Sequence, residues 1–312
     1  MKTHLKIGIG KLELKNPLMT ASGTSGYGDE LGNYFDVAAL GAVVSKSLTL
    51  KPKIGNEPPR VTEVACGMLN SIGLANIGVE RFISEKLPKL RKSGATIIAN
   101  IAAKRAEDYL SLAEMLSDEE DVQGLEINLS CPNVKEGGIE FGSDPKMLGT
   151  ITRLVRNVFP KTLLVKLTPN VTRISELARA AEGEGADAVT VANTYVGMAI
   201  DIYKRAPKIH TVTGGLSGPA IKPLTMAKVY EVTKSVDIPI VASGGIFTWQ
   251  DVIEYLIAGA SAVELGTVLF AKPNVPEELL SGIESYVSSS KLEHISDLIG
   301  SLNTGVEKVS AH

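Results

Sequence analysis

Eight short apolar runs, each followed by a stretch with helical spacing, most constrain what this chain can fold into. They are "PLMTAS" (17–22), "AVVSKS" (42–47), "TIIANI" (96–101), "GLEINLS" (124–130), "LLVKLT" (163–168), "AVTVAN" (188–193), "IPIVASG" (238–244) and "AVELGT" (262–267). Between them lie segments such as "AEDYLSLAEMLSDE", "RISELARAAEGEGA" and "TWQDVIEYLIAGA". Strand–helix alternation predicts a parallel sheet, because each helix returns the chain to start the next strand alongside the last. Eight such units predict α/β architecture of the closed (β/α)8 TIM-barrel type. An open doubly wound sheet is the alternative, but no glycine-rich dinucleotide fingerprint follows the first run. The opening "LKIGIGKLELKNP" alternates apolar and polar residues and reads as an N-terminal β-hairpin.

Two connections are long, 48–76 after the second run and 195–224 after the sixth. Both leave the C-terminal end of a strand, where barrel enzymes build their sites. They read as walls or lids over that face and not as linkers, so residues 1–312 form one domain in this reading. The ending "VEKVSAH" is expected to fray.

Composition excludes several classes. A net charge of -3 gives no basic field for nucleic acid, and 5% aromatic residues give no stacking platform for single strands. The start has no apolar signal core, and no apolar stretch of about 18 residues could span a bilayer. Two cysteines, Cys66 and Cys131, form neither a disulfide framework nor a metal cluster, which suits a reducing cytoplasm. Of the histidines, His4 and His312 lie near chain ends, and only His210 is a catalytic candidate.

The strand ends carry Ser22, Lys46, Asn100, Asn128, Lys166, Asn193, the pair Gly244–Gly245, and Gly266–Thr267. In a barrel these converge on one mouth. Lys46 and Lys166 sit within apolar strands. They suit an anionic or electron-rich ligand, a Schiff base, or snorkelling at a strand end. Three asparagines in poor strand-forming positions each need partners for both amide atoms, and a flat ligand of alternating donors and acceptors would supply them. A turn-forming asparagine is the plainer alternative for any one of them. "ASGGI" and "LGT" suit a phosphate, because glycine lets backbone N–H groups come close. "GGLSGPAIKP" (214–223) adds a backbone contact or a stiff loop, and "MLNSIGLAN" (68–76), with Asn70 and Asn76, reads as a loop.

Cys66, in "EVACGML", reads as a small buried hydrophobe. Cys131 lies just past a strand end, in "EINLSCPNVKEGG", on a glycine-rich loop beside the mouth. No histidine pairs with it, so a hydrolase dyad is disfavoured. Proton abstraction suits a thiol whose ordinary value lies near working pH.

The pieces "NLSCPNVKEGG", "GMLNSIGLAN", "VKLTPNVT" and "GGLSGPAIKP" together resemble the class 1 dihydroorotate dehydrogenases, and within them the B-type catalytic subunit. The resemblance runs from "NPLMTASG" to "VELGTVLF". It implies a barrel that binds one flavin mononucleotide (FMN) per chain and oxidises dihydroorotate to orotate in pyrimidine biosynthesis. By resemblance, Cys131 is the base that takes the C5 proton, the C6 hydride goes to flavin N5, and Lys46 lies between flavin and substrate. Asn70, Ser71, Ile72, Gly73, Leu74, Asn128, Asn133, Asn193 and Thr194 match substrate contacts. Ser22, Lys46, Ser47, Asn100, Asn128, Lys166, Ala192, Gly218, Gly244, Gly245, Gly266 and Thr267 match flavin contacts.

The family pattern further implies a homodimer of catalytic chains working with a subunit that carries FAD and an iron–sulfur cluster and passes electrons to NAD. This chain has no cysteine cluster of its own for such a centre. It departs from the family at Thr24 and Ser25, where Cys–Phe is frequent, at Ala103 for glycine, and at Ala192 for a bulkier aliphatic residue. Alternatives are a stand-alone fumarate-using form, an FMN enzyme acting on another dihydropyrimidine, a non-catalytic flavin-binding subunit, and a Schiff-base aldolase using Lys166 or Lys46.

Overall fold

Each of the eight apolar runs forms a strand: β1 (Leu18–Thr20), β2 (Val43–Val44), β3 (Ile97–Ile101), β4 (Val122–Asn128), β5 (Thr162–Lys166), β6 (Ala188–Val191), β7 (Ile240–Ser243) and β8 (Ala262–Leu265). The structure, a computed structural model, describes residues 4–129 and 142–305. Neighbouring strands pair in parallel from β2 through β8, and β8 pairs with β1. A parallel bridge between Met19 and Ala42 closes the ring, with Gly41 N donating to Leu18 O at 2.8 Å. The result is the (β/α)8 barrel. β3, β5, β6, β7 and β8 are buried at every position. One face meets the barrel interior and the other meets helices, which is why these runs read as continuously apolar instead of alternating.

The helices follow the predicted stretches, with Ala106–Ser117, Pro145–Arg156, Ile174–Gly183, Lys222–Thr233 and Trp249–Ala258 packed outside the ring. The helical stretch from Val79 to Ser93 contains a wider turn at Phe82–Lys86. Pro88 follows that turn and has no N–H to continue the regular ladder, so the wider turn takes up the break. The predicted hairpin pairs Ile7–Ile9 with Leu12–Leu14, and Ile9 and Leu14 are fully buried. Lys11 N donates to Thr162 Oγ1 at 3.0 Å, which fixes the hairpin at the start of β5, the end of the barrel opposite the mouth.

The two long connections depart from the loop reading. Together they build an antiparallel sheet in the order Tyr195–Met198, Thr213–Ser217, Gly67–Asn70, Val61–Val64. The strand Gly67–Asn70 lies inside the segment read as a loop. Its pairing partner lies about 145 residues away, as in the bond from Asn70 Nδ2 to Gly215 O. Glycine-rich strands carry little local signal, so only the tertiary pairing reveals them. Cys66 is corrected as well. It is exposed, at φ 56° in the turn joining Val61–Val64 to Gly67–Asn70, and not a buried hydrophobe. A hairpin turn of this kind points its side chains to solvent.

The helix Trp249–Ala258 follows the glycine pair after β7, and its start is firmly tied. Thr248 Oγ1 accepts from Asp251 N at 3.3 Å, and Asp251 accepts from Thr248 N and Phe247 N at 2.7 and 2.8 Å. Lys222 Nζ also donates to Asp251 at 2.5 Å. Thr248→Ala removes one arm of this reciprocal cap and should lower stability by about 1 kcal/mol in denaturant unfolding. An unchanged unfolding midpoint would show that the cap does not hold the helix.

Candidate active site

Residues spaced by two along a strand face the same side, so a buried polar layer inside the barrel is followed by a second layer at its mouth. Lys166 ends β5, and Glu264 lies on β8. These strands are not neighbours in the sheet, yet Lys166 Nζ donates to Glu264 Oε2 at 2.5 Å, so the contact crosses the barrel interior. Lys166 Nζ also lies 3.9 Å from Glu126 Oε1 on β4. Asn100 Nδ2 and Thr190 Oγ1 donate to the two oxygens of Glu126 at 2.6 and 2.7 Å. Asn100, Glu126 and Thr190 are fully buried, and Glu264 and Lys166 are 1% and 5% exposed.

Burial alone would push the Lys166 ammonium toward its neutral form. Glu126 and Glu264 outweigh that and hold its pKa above the ordinary lysine value. Imine chemistry needs a free amine, so Lys166 is poorly suited to the Schiff-base alternative. Burial first, then the neighbouring Glu126, push Glu264 up to about 8, against the opposing pull of Lys166.

Above this layer opens a cavity of about 420 Å³ at the C-terminal ends of the strands. Its rim carries a chain of polar contacts. Ser22 Oγ lies 3.3 Å from Ser47 Oγ, and Asn128 Nδ2 donates to Ser47 Oγ at 3.2 Å. Asn193 Nδ2 donates to Asn128 Oδ1 at 3.4 Å, and Thr194 N donates to Asn193 Oδ1 at 2.8 Å. Residues that follow β1, β2 and β6, with Asn128 at the end of β4, are thereby joined. Tyr109 OH fixes the Asn128 backbone by donating to its carbonyl at 2.9 Å. Lys46 is half-buried at the same rim. Burial, with Arg60 adding like charge, lowers its pKa below the ordinary lysine value, while Glu30 pulls the other way.

Most of the residues singled out in the sequence meet in this cavity. Ser22, Lys46, Ser47, Asn70, Ile72, Gly73, Leu74, Asn128, Lys166, Ala192, Asn193, Thr194, Gly218, Gly244, Gly245, Gly266 and Thr267 all line it. Ser71 and Asn100 do not. Ser71 is buried behind the wall, and Asn100 belongs to the layer below. Cys131 and Asn133 lie outside the described residues. His210 is exposed and is not among the cavity-lining residues. Of the departures from the family pattern, Thr24 and Ala192 touch the cavity, whereas Ser25 and Ala103 are buried outside its lining.

Sequence reasoning missed Glu126 and Glu264, although both stand in apolar strands just as Lys46 and Lys166 do. It also missed Ser217, which accepts from Thr267 Oγ1 at 2.7 Å, and the apolar wall of Val61, Met68, Phe247 and Phe270. That wall has no local signal, because Val61 and Met68 reach the site only through the antiparallel sheet.

The lining fits a flat polar ring with an anionic tail. Among the described residues, Glu264 Oε1 and Asn100 Oδ1 are buried without a hydrogen-bond partner, and Glu264 reaches the cavity surface. The floor of the cavity thus retains polar capacity that the protein itself does not satisfy. On the strand neighbouring that of Glu264, just past Ser243, the main chain turns through Gly244 at φ 153° and Gly245 at φ 72°, where backbone can approach a phosphate. Tyr255 OH donates to Gly244 O at 2.6 Å and holds this turn in place. Among the described residues no group of His, Cys, Asp and Glu could hold a metal ion.

Comparison with known proteins agrees with this chemistry. The family described as dihydroorotate dehydrogenase matches residues 4–287. The chain is 50% identical over 299 residues to the protein of Thermoanaerobacter sp. (strain X514) named dihydroorotate dehydrogenase B (NAD(+)), catalytic subunit, covering 96% of this chain and 99% of that one. Proteins of the same name from Trichlorobacter lovleyi and Bacteroides fragilis are 47% identical over 302 residues and 43% identical over 298. These alignments cover 97% and 96% of this chain and 99% and 98% of those relatives.

A side chain at Gly245 would place its Cβ 2.6 Å from Lys222 N and 2.7 Å from Lys222 Cα, both backbone atoms that cannot swing aside. Gly245→Ala should therefore destabilise the chain by ~1–3 kcal/mol in denaturant unfolding, from clash and positive φ together. Wild-type stability in that variant would contradict the described turn.

Proposed function

The chain belongs to the dihydroorotate dehydrogenase family, and from that premise we propose that it oxidises dihydroorotate to orotate in pyrimidine biosynthesis as the catalytic subunit of a B-type, NAD-linked enzyme. The observation that carries the reading is the cavity at the C-terminal end of the barrel. Residues from distant segments meet there, which supports a shared site for ring and phosphate. The whole of 1–312 acts in this reading as one flavin-binding barrel domain.

FMN, when bound, supplies the hydride acceptor for the reaction. Gly244, Gly245, Gly266, Thr267 and Gly218 would hold its phosphate, and Ser22, Ser47, Asn100, Lys166 and Ala192 would hold or support its ring. Lys166 brings a positive charge to the cavity floor, and a cation there favours the ring in its electron-rich state. Asn70, Asn128, Asn193 and Thr194, with Asn133, would orient the pyrimidine through paired donors and acceptors. Lys46 at the rim would meet the substrate's carboxylate side, with the 70–74 segment closing that side.

Cys131 is proposed as the general base that takes the proton from substrate C5. An ordinary thiol has a pKa near enough to working pH to take a proton, and the asparagines around the ring would orient the substrate for that transfer. Electrons leave through a partner, because the relatives' name specifies a catalytic subunit and NAD(+). We propose that the partner carries FAD and an iron–sulfur cluster, that two catalytic chains pair, and that the assembly works in the cytoplasm. No helix among the described residues is long and apolar enough to cross a membrane.

The test is anaerobic stopped-flow mixing of the FMN-loaded chain with dihydroorotate. Wild-type protein should bleach, and Cys131→Ala should keep its yellow flavin but bleach about 100-fold more slowly at neutral pH. Equal rates would remove Cys131 from the role of base. Absence of bleaching in the wild type would refute the activity itself.

A further inference from the structure

We propose that Glu126 and Glu264 hold one proton between them beneath the cavity, and that Glu264 is a positioning residue for Lys166, fixing its ammonium at the floor and setting the charge presented to a bound ring. The proposal rests on the reading of the cavity as a flavin site.

The argument is one of charge and satisfaction. Two carboxyl groups converge on one ammonium inside the barrel, at 2.5 and 3.9 Å. Both carboxyl side chains are wholly buried. Lys166 feels no charged group among the described residues besides these two, and Glu264 feels only Glu126 and Lys166. The polar groups set against them, Asn100 and Thr190 on Glu126 and Ser243 paired in register with Glu264, carry no charge. Two ionised carboxylates with one lysine would leave an uncompensated buried negative charge, which is costly. One proton makes the set neutral.

The hydrogen-bond pattern favours the same solution. Glu126 already accepts from Asn100 and Thr190, whereas Glu264 Oε1 has no partner among the described residues. An oxygen left bare in a buried site is where a proton is gained at least cost. The raised pKa of Glu264 agrees in direction, with burial as its largest cause and the nearby Glu126 next.

The consequence reaches the cavity, because Glu264 and Lys166 both line it. With the proton held, the Lys166 charge is balanced once and the floor is neutral. When the proton leaves, the floor carries a net negative charge and repels an anionic or electron-rich ring. The pair thus keeps Lys166 useful to the ligand, and it does so only below the pH at which the proton is lost.

The test uses the full chain as wild type, Glu264→Gln and Glu126→Gln. Infrared difference spectra are taken between about pH 6 and about pH 10, a range that brackets the step and clears ordinary carboxylates. The wild type should show a buried carboxylic-acid carbonyl band that disappears in alkali, and both variants should lack it. In parallel, the FMN dissociation constant is followed by flavin fluorescence. It should rise about tenfold across the step in the wild type and stay flat in either variant.

A third readout needs no cofactor. The folded wild type keeps a proton that the unfolded chain has released. Its folding equilibrium should therefore fall up to tenfold per pH unit, relative to Glu264→Gln, from about pH 5 to about pH 8. A wild type without the carboxylic-acid band, a band that survives in both variants, or an FMN affinity flat with pH would each overturn the proposal. If neither variant folds, the wild-type infrared titration and FMN affinity decide it. If the chain takes up no FMN at any pH, the flavin reading falls, while the infrared result still decides whether the pair holds a proton.

Discussion

One ammonium held between two carboxyl groups inside the barrel is the interaction on which the site depends. Lys166 reaches across the interior to Glu264 and lies near Glu126, so three strands that are not all neighbours are tied at one level. Below that level the interior is packed with apolar side chains such as Ile98, Leu164 and Ala188, each two residues before Asn100, Lys166 and Thr190 on its strand. Above it the lining turns polar and opens. The network therefore marks where core ends and cavity begins, and it keeps an ammonium at the cavity floor in a place where a lone charge could not be kept.

The walls follow from the same economy of placement. Barrel strands alone give a shallow mouth. The segments after β2 and β6 meet in an antiparallel sheet, which brings Met68 and Asn70 from one segment against Ser217 and Gly215 from the other, with Val61 on the flanking strand beside Asn70. This sheet makes a depression into an enclosed site with an apolar face and a polar one, the arrangement that suits a flat ring. The glycine turn after β7, locked by Tyr255 and by the capped helix behind it, adds a backbone wall.

Much of this was legible in the sequence. The eight strands, the hairpin and the helices each have a local signature, either a run of apolar residues or helical spacing, and local signatures survive without tertiary knowledge. Lys46 and Lys166 stood out because charge inside an apolar strand is costly. The same reasoning applied to "GLEINLS" and "AVELGT" would have picked out Glu126 and Glu264. What could not be read was long-range. Gly67–Asn70 pairs with Thr213–Ser217 through backbone hydrogen bonds that leave no trace in either segment alone. Asn100 looked like a rim residue by its place at a strand end. It sits one layer lower because its amide is drawn into the bond with Glu126. Cys66 looked buried from its apolar neighbours, but the turn it occupies turns it outward.

The central claim is that these scattered side chains form a single site for FMN and a pyrimidine. A crystal structure of the full chain grown with FMN and orotate tests it most directly. The account predicts flavin density within the barrel-mouth cavity, in contact with Lys166 and the Gly244–Gly245 turn, and orotate against Asn128 and Asn193. Flavin bound anywhere else, or orotate with no contact to those asparagines, would contradict it.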